Sequence, residues 1–339
     1  MTKLYENDAY QVFQFPYLPE NARVFLNQIQ WGNKGTRYRR PVTREGASRL
    51  HRPWAFVIQT EHEVVGTVLA NQYTFLPKMD GYYFRYFASH PQSRGQVFLG
   101  INARRVLKWL ESRVSSHDFF YAYLEKKNEP SLRMVRHVGF QSYQTSLTLG
   151  FSRFFPKKDP RVYRVRNVDE QTEISVLLQN HYQDHAFVHP IGWHYQSQYF
   201  VIREKDTVIA GLQVIPARWE ITQMEGKLGS FLVQYGQYLP WVNRILNPSS
   251  FQFLGFEGIY VAPGREQDLL KLMEHTLALY RVHAALFWQD PTSPYFLGDR
   301  TDLGLLNQLV KGTGSFLMAK NMPEDWKTKP AYISCFDFV

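Results

Sequence analysis

The chain has 339 residues, 44% of them hydrophobic and 20% charged, with 39 Lys and Arg against 30 Asp and Glu. That length buries a sizeable core and predicts two domains, and the composition excludes a disordered or fibrous chain. No apolar run reaches about 18 residues, which excludes a membrane-spanning helix, and the single cysteine, Cys335, excludes an internal disulfide and a cysteine-built zinc site.

The first residues lack the apolar stretch of a secretory signal, and one cysteine suits a reducing cytoplasm, the expected location. The charge is uneven. Residues 1–158 carry 23 Lys and Arg against 11 Asp and Glu, whereas residues 159–339 carry 16 against 19. A basic first half suits an anionic ligand or a nucleic acid, and equally a solvated basic surface.

In chain order, a strand is predicted at 10–15 and an amphipathic helix at 20–30. An irregular basic segment follows over 31–53, with Lys34, Arg37, Arg39, Arg40, Arg44, Arg49 and Arg52. A hairpin pairs 54–60 with 64–71 around Glu61-His62-Glu63. The aromatic run 82–87 reads as a buried strand, and Val97, Ile101, Val106, Leu107 and Leu110 as one face of a helix. A second buried strand covers 119–125. A short helix then starts at Asn128 and Pro130 and stops at Gly139, and a hairpin is expected near 141–154. The stretch 154–160, with Pro156 and Pro160, reads as a linker.

After the linker the same order restarts: a strand at 162–165, a helix at 171–183, a hairpin joining 198–202 to 207–215, a strand at 256–261, a helix at 267–279, a strand at 285–288 and a helix at 303–310. The second half therefore reads as a diverged copy of the first.

The junction over 89–98 is the candidate site. A strand, a turn with Arg94 and Gly95 and a helix N-terminus leave free backbone N–H groups at a positive helix end, which favours a phosphate. Gly95 lets that backbone approach closely.

Together with the segment at 128–140, this junction resembles the GNAT superfamily of acyl-CoA N-acyltransferases, over residues 54–150. The family's phosphate loop reads Gln/Arg-x-x-Gly-x-Gly/Ala; Gln92 and Gly95 match and Val97 departs. Its later motif reads Asn-x-x-Ala/Ser, often a Tyr, then Gly-Phe; Asn128, Ser131, Gly139 and Phe140 match, and Val135 stands where the Tyr is usual.

The resemblance implies an α/β fold, an α+β mixed sheet with flanking helices, in two tandem GNAT-like domains. Residues 1–155 would bind acyl-CoA. Residues 156–339 would be a degenerate copy that does not bind coenzyme A, since Glu266 and Asp268 stand where its phosphates would lie. The implied donor is acetyl-CoA, and the implied reaction moves its acyl group to a primary amine of unknown identity.

In the implied pose the N–H groups of Arg94, Gly95, Gln96, Val97 and Phe98 hold the diphosphate. The pantetheine arm lies between the strand ending at Phe87, Ala88 and Ser89 and the strand at 119–125, and Asn128, beside Ser131, bonds its amide. Arg104, Arg105 or Lys108 would meet the adenosine phosphate, though a solvated helix face explains any one of them.

Acyl transfer also needs an N–H donor for the thioester carbonyl, placed near Phe87 to Ser89, and a base for the amine. Family members often carry a Glu near the place of Arg85. Here Glu125 is the first choice of base because it closes a buried strand beside the gap. Tyr123 and Tyr86 follow, and His90 reads as a turn residue. Glu125 equally fits a strand-end carboxylate paired with Lys126 or Lys127. Val135 cannot protonate a leaving thiolate. These departures suit an alternative, a non-catalytic acyl-CoA sensor or interaction protein on the same fold. An aminoacyl-tRNA-dependent transferase would suit the basic segment, which nonetheless reads most simply as a solvated loop, so nucleic acid is not the expected partner.

His181, His185 and His189 have i, i+4, i+8 spacing with His194 near, but Pro190 and Gly192 end the helix early, and no metal site is expected. Cys335 reads as a core or sheet-edge thiol in an alternating tail.

Overall fold

Runs of β-branched and aromatic residues form the central hairpin, β4 (Pro53–Gln59) and β5 (Val64–Phe75), in antiparallel register from Pro53–Asn71 to Gln59–Val64. The computed structural model describes residues 1–32, 35–48, 50–76, 79–90 and 96–338. It divides the chain into two units: Met1–Gln144 with Ser315–Lys327, and Thr145–Gly314 with Thr328–Val339.

In the first unit the sheet runs β1 (Thr2–Glu6), β2 (Gln11–Phe15), β4, β5, β6 (Met79–Ser89), β7 (Phe119–Glu125) and β14 (Gly314–Lys320). Neighbours are antiparallel except β6 and β7, which are parallel. Residues alternate between the sheet's faces. On one face α1 (Glu20–Gln28) lays Phe25 and Leu26 against Leu69 and Ala88. On the other, Val106, Leu107 and Leu110 of α3 (Gln96–Glu111) and Leu132 of α4 (Glu129–His137) pack on Phe56, Tyr82 and Phe120. Each such buried side chain contributes about 1.5–3 kcal/mol.

The second unit's sheet runs β8 (Gln141–Ser152), β13 (Ala284–Gln289), β12 (Phe251–Val261), β11 (Thr207–Gln223), β10 (Tyr199–Glu204) and β9 (Val162–Arg164). Here β12 and β13 are the parallel pair. Flanking helices are α5 (Val168–His181), α8 (Glu266–Tyr280) and α9 (Leu305–Val310). Leu269, Leu272, Met273 and Leu277 of α8 form the core with Leu212, Val214, Phe256 and Phe287. Both units thus present a hairpin, a strand, a helix, a parallel strand and a helix in the same order. The fold is a mixed α/β sheet with flanking helices in two tandem copies.

Several local expectations differ. Residues 141–152 are one strand, not a hairpin. The basic segment expected to be irregular holds β3 (Arg37–Arg39) and α2 (Arg44–Ser48), while Lys34 and Arg49 lie outside the described residues. β11 continues past Pro216 to Gln223, and α6 (Gly226–Tyr235) and α7 (Pro240–Ile245) follow it. Cys335 opens a 3-10 turn, not a strand, and is fully buried, which pushes its thiol well up.

Candidate functional site

The parallel ladder between β6 and β7 covers Gly81–Phe119, Tyr82–Phe120 and Tyr83–Tyr121. Beyond Tyr83 and Tyr121 the two strands continue, to Ser89 and Glu125, outside that register. The departure has a local cause in β6. Its pairing with β5 slips between Thr67–Ala88 and Leu69–Arg85, and Tyr86 takes a left-handed φ of 51° at the slip. Thr67 Oγ1 donates to the Tyr86 carbonyl at 2.9 Å and holds the bulge. A bulge of this kind bends a strand and re-aims its side chains, and strain of this kind concentrates at functional positions.

A cavity of about 760 Å³ lies in this unit, lined by Phe87, Ala88 and Ser89 of β6, Ile101 and Arg104 of α3, Asn128 and Ser131 at the start of α4, and Trp31. Five predicted contact residues, Phe87, Ala88, Ser89, Asn128 and Ser131, therefore face one space. Gln92, Arg94 and Gly95 lie outside the described residues, and Gln96, Val97 and Phe98 form the first turn of α3.

The start of α4 is built as its sequence predicts. The Asn128 side-chain carbonyl accepts the Ser131 N–H at 3.3 Å, and Pro130 sits in the first turn. Gly139, at φ 96°, ends the helix, and the Phe140 N–H returns to the Val135 carbonyl at 3.1 Å. Val135 faces the hydrophobic core, with 9% of its surface exposed.

Tyr86, Tyr123 and Glu125 are not part of that lining. Tyr123 packs edge-on against Tyr83 and Tyr121, at 5.7 and 5.9 Å between ring centres. Two guanidinium groups lie against the Tyr86 ring, Arg85 at 4.5 Å and Arg40 at 4.8 Å from its centre, and Arg85 also donates to its hydroxyl at 3.2 Å. Trp31 stands 5.8 Å from the same ring and pairs through its backbone with Tyr38. Burial pushes the Tyr38 phenol up to about 12; the charge of Glu125 adds to this and Arg40 opposes it. Glu125, Tyr38, Arg40, Arg85 and Tyr86 thus share one neighbourhood. Trp31 gave no signal in the sequence, since its role depends on a contact across 55 positions.

Of the cations proposed for the adenosine phosphate, Arg104 lines the cavity, while Arg105 lies 3.5 Å over the Tyr5 ring and bonds the Tyr10 hydroxyl at 2.8 Å. Arg133 and His137 of α4, absent from the predicted set, line the cavity too. The His90 N–H bonds the Val65 carbonyl at 2.8 Å and extends the β5–β6 ladder.

In the second unit, His181 and His185 both stack with the Tyr295 ring, at 3.7 and 5.7 Å between ring centres, and burial pushes both down to about 4. His194 pairs instead with Ser175 at 2.7 Å. Among the described residues no group of three or more His, Cys, Asp or Glu is placed to hold a metal, and no helix among them is long and apolar enough to cross a membrane.

No family model matches the chain and no curated protein matches its sequence. Solved structures do match in shape. N-myristoyltransferase of Saccharomyces cerevisiae with bound myristoyl-CoA superposes with a TM-score of 0.59 over 98% of this chain and 91% of that one, at 8% identity. The same enzyme with myristoyl-CoA and inhibitors gives 0.61 over 98% and 88%, at 7% identity. A GCN5-related glucosamine N-acetyltransferase region of a fungal multi-domain β-N-acetylglucosaminidase gives 0.53 over 93% of this chain and 38% of that one, at 12% identity. The chain therefore has the fold of the GNAT-type acyl-CoA N-acyltransferases, in two tandem copies.

Proposed function

We propose that the protein is an acyl-CoA-dependent N-acyltransferase that moves an acyl group, acetyl as the leading choice, from coenzyme A to a primary amine in a reducing cytoplasm. The observation that carries this is the opening between β6 and β7, with Phe87, Ala88 and Ser89 facing Asn128 and Ser131 across a cavity of about 760 Å³, on a fold whose solved examples include enzymes with bound myristoyl-CoA. A strand left without its neighbour offers main-chain groups to an amide-bearing arm, as in strand addition. The cofactor is acetyl-CoA, its diphosphate on the N–H groups from Arg94 to Phe98 beside Gln92, its arm against residues 87–89 and 128–131.

Glu125 is the proposed base, and Tyr123 and Tyr86 are its proposed companions, because the Glu125 charge reaches the cluster around Tyr86. In the reaction the amine nitrogen attacks the thioester carbon, the base takes the amine proton, and the thiolate leaves. The second unit is proposed not to take coenzyme A.

A second reading, a sensor that binds acyl-CoA without turnover, is favoured by two placements: Val135 turned into the core, and the proposed catalytic groups outside the cavity lining. Thermal shift with acetyl-CoA and dephospho-CoA tests both readings. Ligand at a hundredfold excess over its dissociation constant stabilises by about 2.7 kcal/mol, and Gly95→Glu should remove that shift. No shift with either ligand refutes both readings. Thiol release with a panel of amines then separates enzyme from sensor.

A further inference from the structure

The parallel pair of the second unit repeats the geometry of the first. β12 and β13 pair at Leu254–Ala285 and Gly255–Leu286, then run on to Val261 and Gln289. β12 slips against β11 between Gly211 and Gln213, and Gly258 takes φ 50° there. The residue before it, Glu257, is a carboxylate with 2% of its surface exposed.

This second opening is not empty. Residues 331–338 lie in it. The Ala331 N–H donates to Asp290, just past β13, at 2.7 Å, and the Tyr332 N–H donates to the Ala186 carbonyl at 2.8 Å. Three donors from the segment then converge on Glu257: the Tyr332 hydroxyl, the Ser334 hydroxyl at 3.0 Å and the Phe336 N–H at 3.0 Å. Tyr332 is itself fixed by the Trp193 indole N–H at 2.8 Å, and Phe338 stacks on Trp288 of β13 at 4.4 Å. Ser334, Cys335 and Asp337 are each 1% exposed. What is left of the opening is a cavity of about 30 Å³, room for about one water.

A carboxylate taken out of water is costly unless donors surround it. Here they come from one segment: the hydroxyls of Tyr332 and Ser334, and then the Phe336 N–H, which the 3-10 turn at Cys335–Asp337 brings round to the same carboxylate. The segment is held there by bonds to the Glu257 and Asp290 side chains, by the Trp288 ring and by a backbone pairing with Ala186.

We propose that the opening between β12 and β13 is a peptide-binding cleft whose ligand is the chain's own segment 331–338, anchored on Glu257, and that this occupancy keeps acyl-CoA out of the second unit. The proposal gives the expected absence of coenzyme A from this unit a cause other than Glu266 and Asp268, since Asp268 is paired with Arg161 at 2.9 Å and Arg265 at 2.7 Å, and it stands whether or not the first unit turns over substrate.

Hydrogen exchange on the full chain, read by mass spectrometry, tests it. In the wild type, residues 331–338 should be as protected as β12. Glu257→Ala should speed their exchange about a hundredfold or more while α3 and β6 keep their rates. Should Glu257→Ala not fold, the pair Tyr332→Phe with Ser334→Ala removes two donors, and about tenfold faster exchange is expected in the same segment. Wild-type exchange at the rate of an exposed loop, or no acceleration in either variant, overturns the proposal. So does a second equivalent of acetyl-CoA bound by the wild type with the segment still protected. Failure to bind any acetyl-CoA bears on the first unit alone.

Discussion

Arg85 and Glu257 occupy the same position in the two copies. Each is the buried charge immediately before the positive-φ residue of a slipped strand, Tyr86 at 51° and Gly258 at 50°. The copies have given this place opposite signs. Glu257 takes its donors from the segment that fills its cleft. Arg85 lies against the rings of Tyr83 and Tyr86, at 5.7 and 4.5 Å. Replacing Arg85 with Ala removes the packing of its stem and both ring contacts, and should cost about 2–4 kcal/mol of stability. Urea unfolding measures it; a loss below about 0.5 kcal/mol would show that the guanidinium contributes nothing there.

Gly81 sits where β6 and β7 are still paired. A Cβ there would stand 2.5 Å from Phe119 Cζ and 2.7 Å from Phe75 Cε2. Those rings are 5.0 Å apart and both pack on Trp326, at 5.2 and 6.0 Å, so neither swings away freely. Gly81→Ala should destabilise by about 1–3 kcal/mol through overpacking. A thermal midpoint equal to that of the wild type would mean the rings have room that their spacing denies.

How much of this could be read from the chain follows the range of each interaction. α4 was legible from Asn128 to Gly139 because a cap, a first-turn proline and a terminal glycine act within a dozen residues. β6 and β7 were legible as aromatic runs, and their opening was expected between the right strands. β14 was not, because Ser315 to Lys320 pair with β7 across nearly 200 positions. The tail around Cys335 reads as an alternating strand but forms a 3-10 turn, because its partner is Glu257, more than 70 residues earlier. Of the two cations on the Tyr86 ring, Arg85 stands out in the sequence near the place of the family's Glu, whereas Arg40 reads only as part of a basic run, since nothing local ties it to that ring.

Asn128 is given two tasks, and they separate. Its carbonyl caps α4, so Asn128→Ala should cost about 1 kcal/mol, seen by chemical denaturation. Asn128→Asp retains a capping oxygen and should keep most of that stability, yet it replaces the amide proposed to face the pantetheine arm. Calorimetric titration should therefore show weakened acyl-CoA binding in both variants. Full affinity in the Asp variant would confine Asn128 to the cap.

The second unit should respond to pH through Glu257. Burial raises its carboxyl from 4.5 to about 7, against the hydrogen bonds from Tyr332, Phe336 and Ser334. Tyr182, Cys335 and Asp337 also lie within reach of its charge, and His185 and Asp290 line the same small cavity. A raised carboxyl holds its proton in the folded state after the unfolded chain has released it. Its contribution is complete below about pH 4.5 and is lost as pH rises through about 7. His181 and His185 act oppositely: lowered from 6.5 to about 4 by burial, their contribution is present above 6.5 and lost as pH falls. Comparison with Glu257→Gln cancels the histidines. From about pH 4.5 to above 7 the wild type should lose about 3 kcal/mol relative to that variant. A constant difference would show that Glu257 is ionised in the folded protein throughout.

Glu125 carries the sharpest test of turnover. Its charge raises the Tyr38 phenol, so it sits close to the cluster around Tyr86 at the end of β7. A base there must be ionised to accept the amine proton, and loss of a positioned base costs about 10²–10⁴ in rate. Glu125→Gln should lower kcat by that factor, leave acyl-CoA affinity unchanged in a titration, and abolish the acid limb of the kcat/KM profile. The same substitution removes a negative neighbour from Tyr38, whose phenol should then titrate below its wild-type value, as ultraviolet difference spectra would show. If the Tyr38 titration moves while kcat holds, Glu125 is a strand-end charge, and the proton must leave the amine through another group.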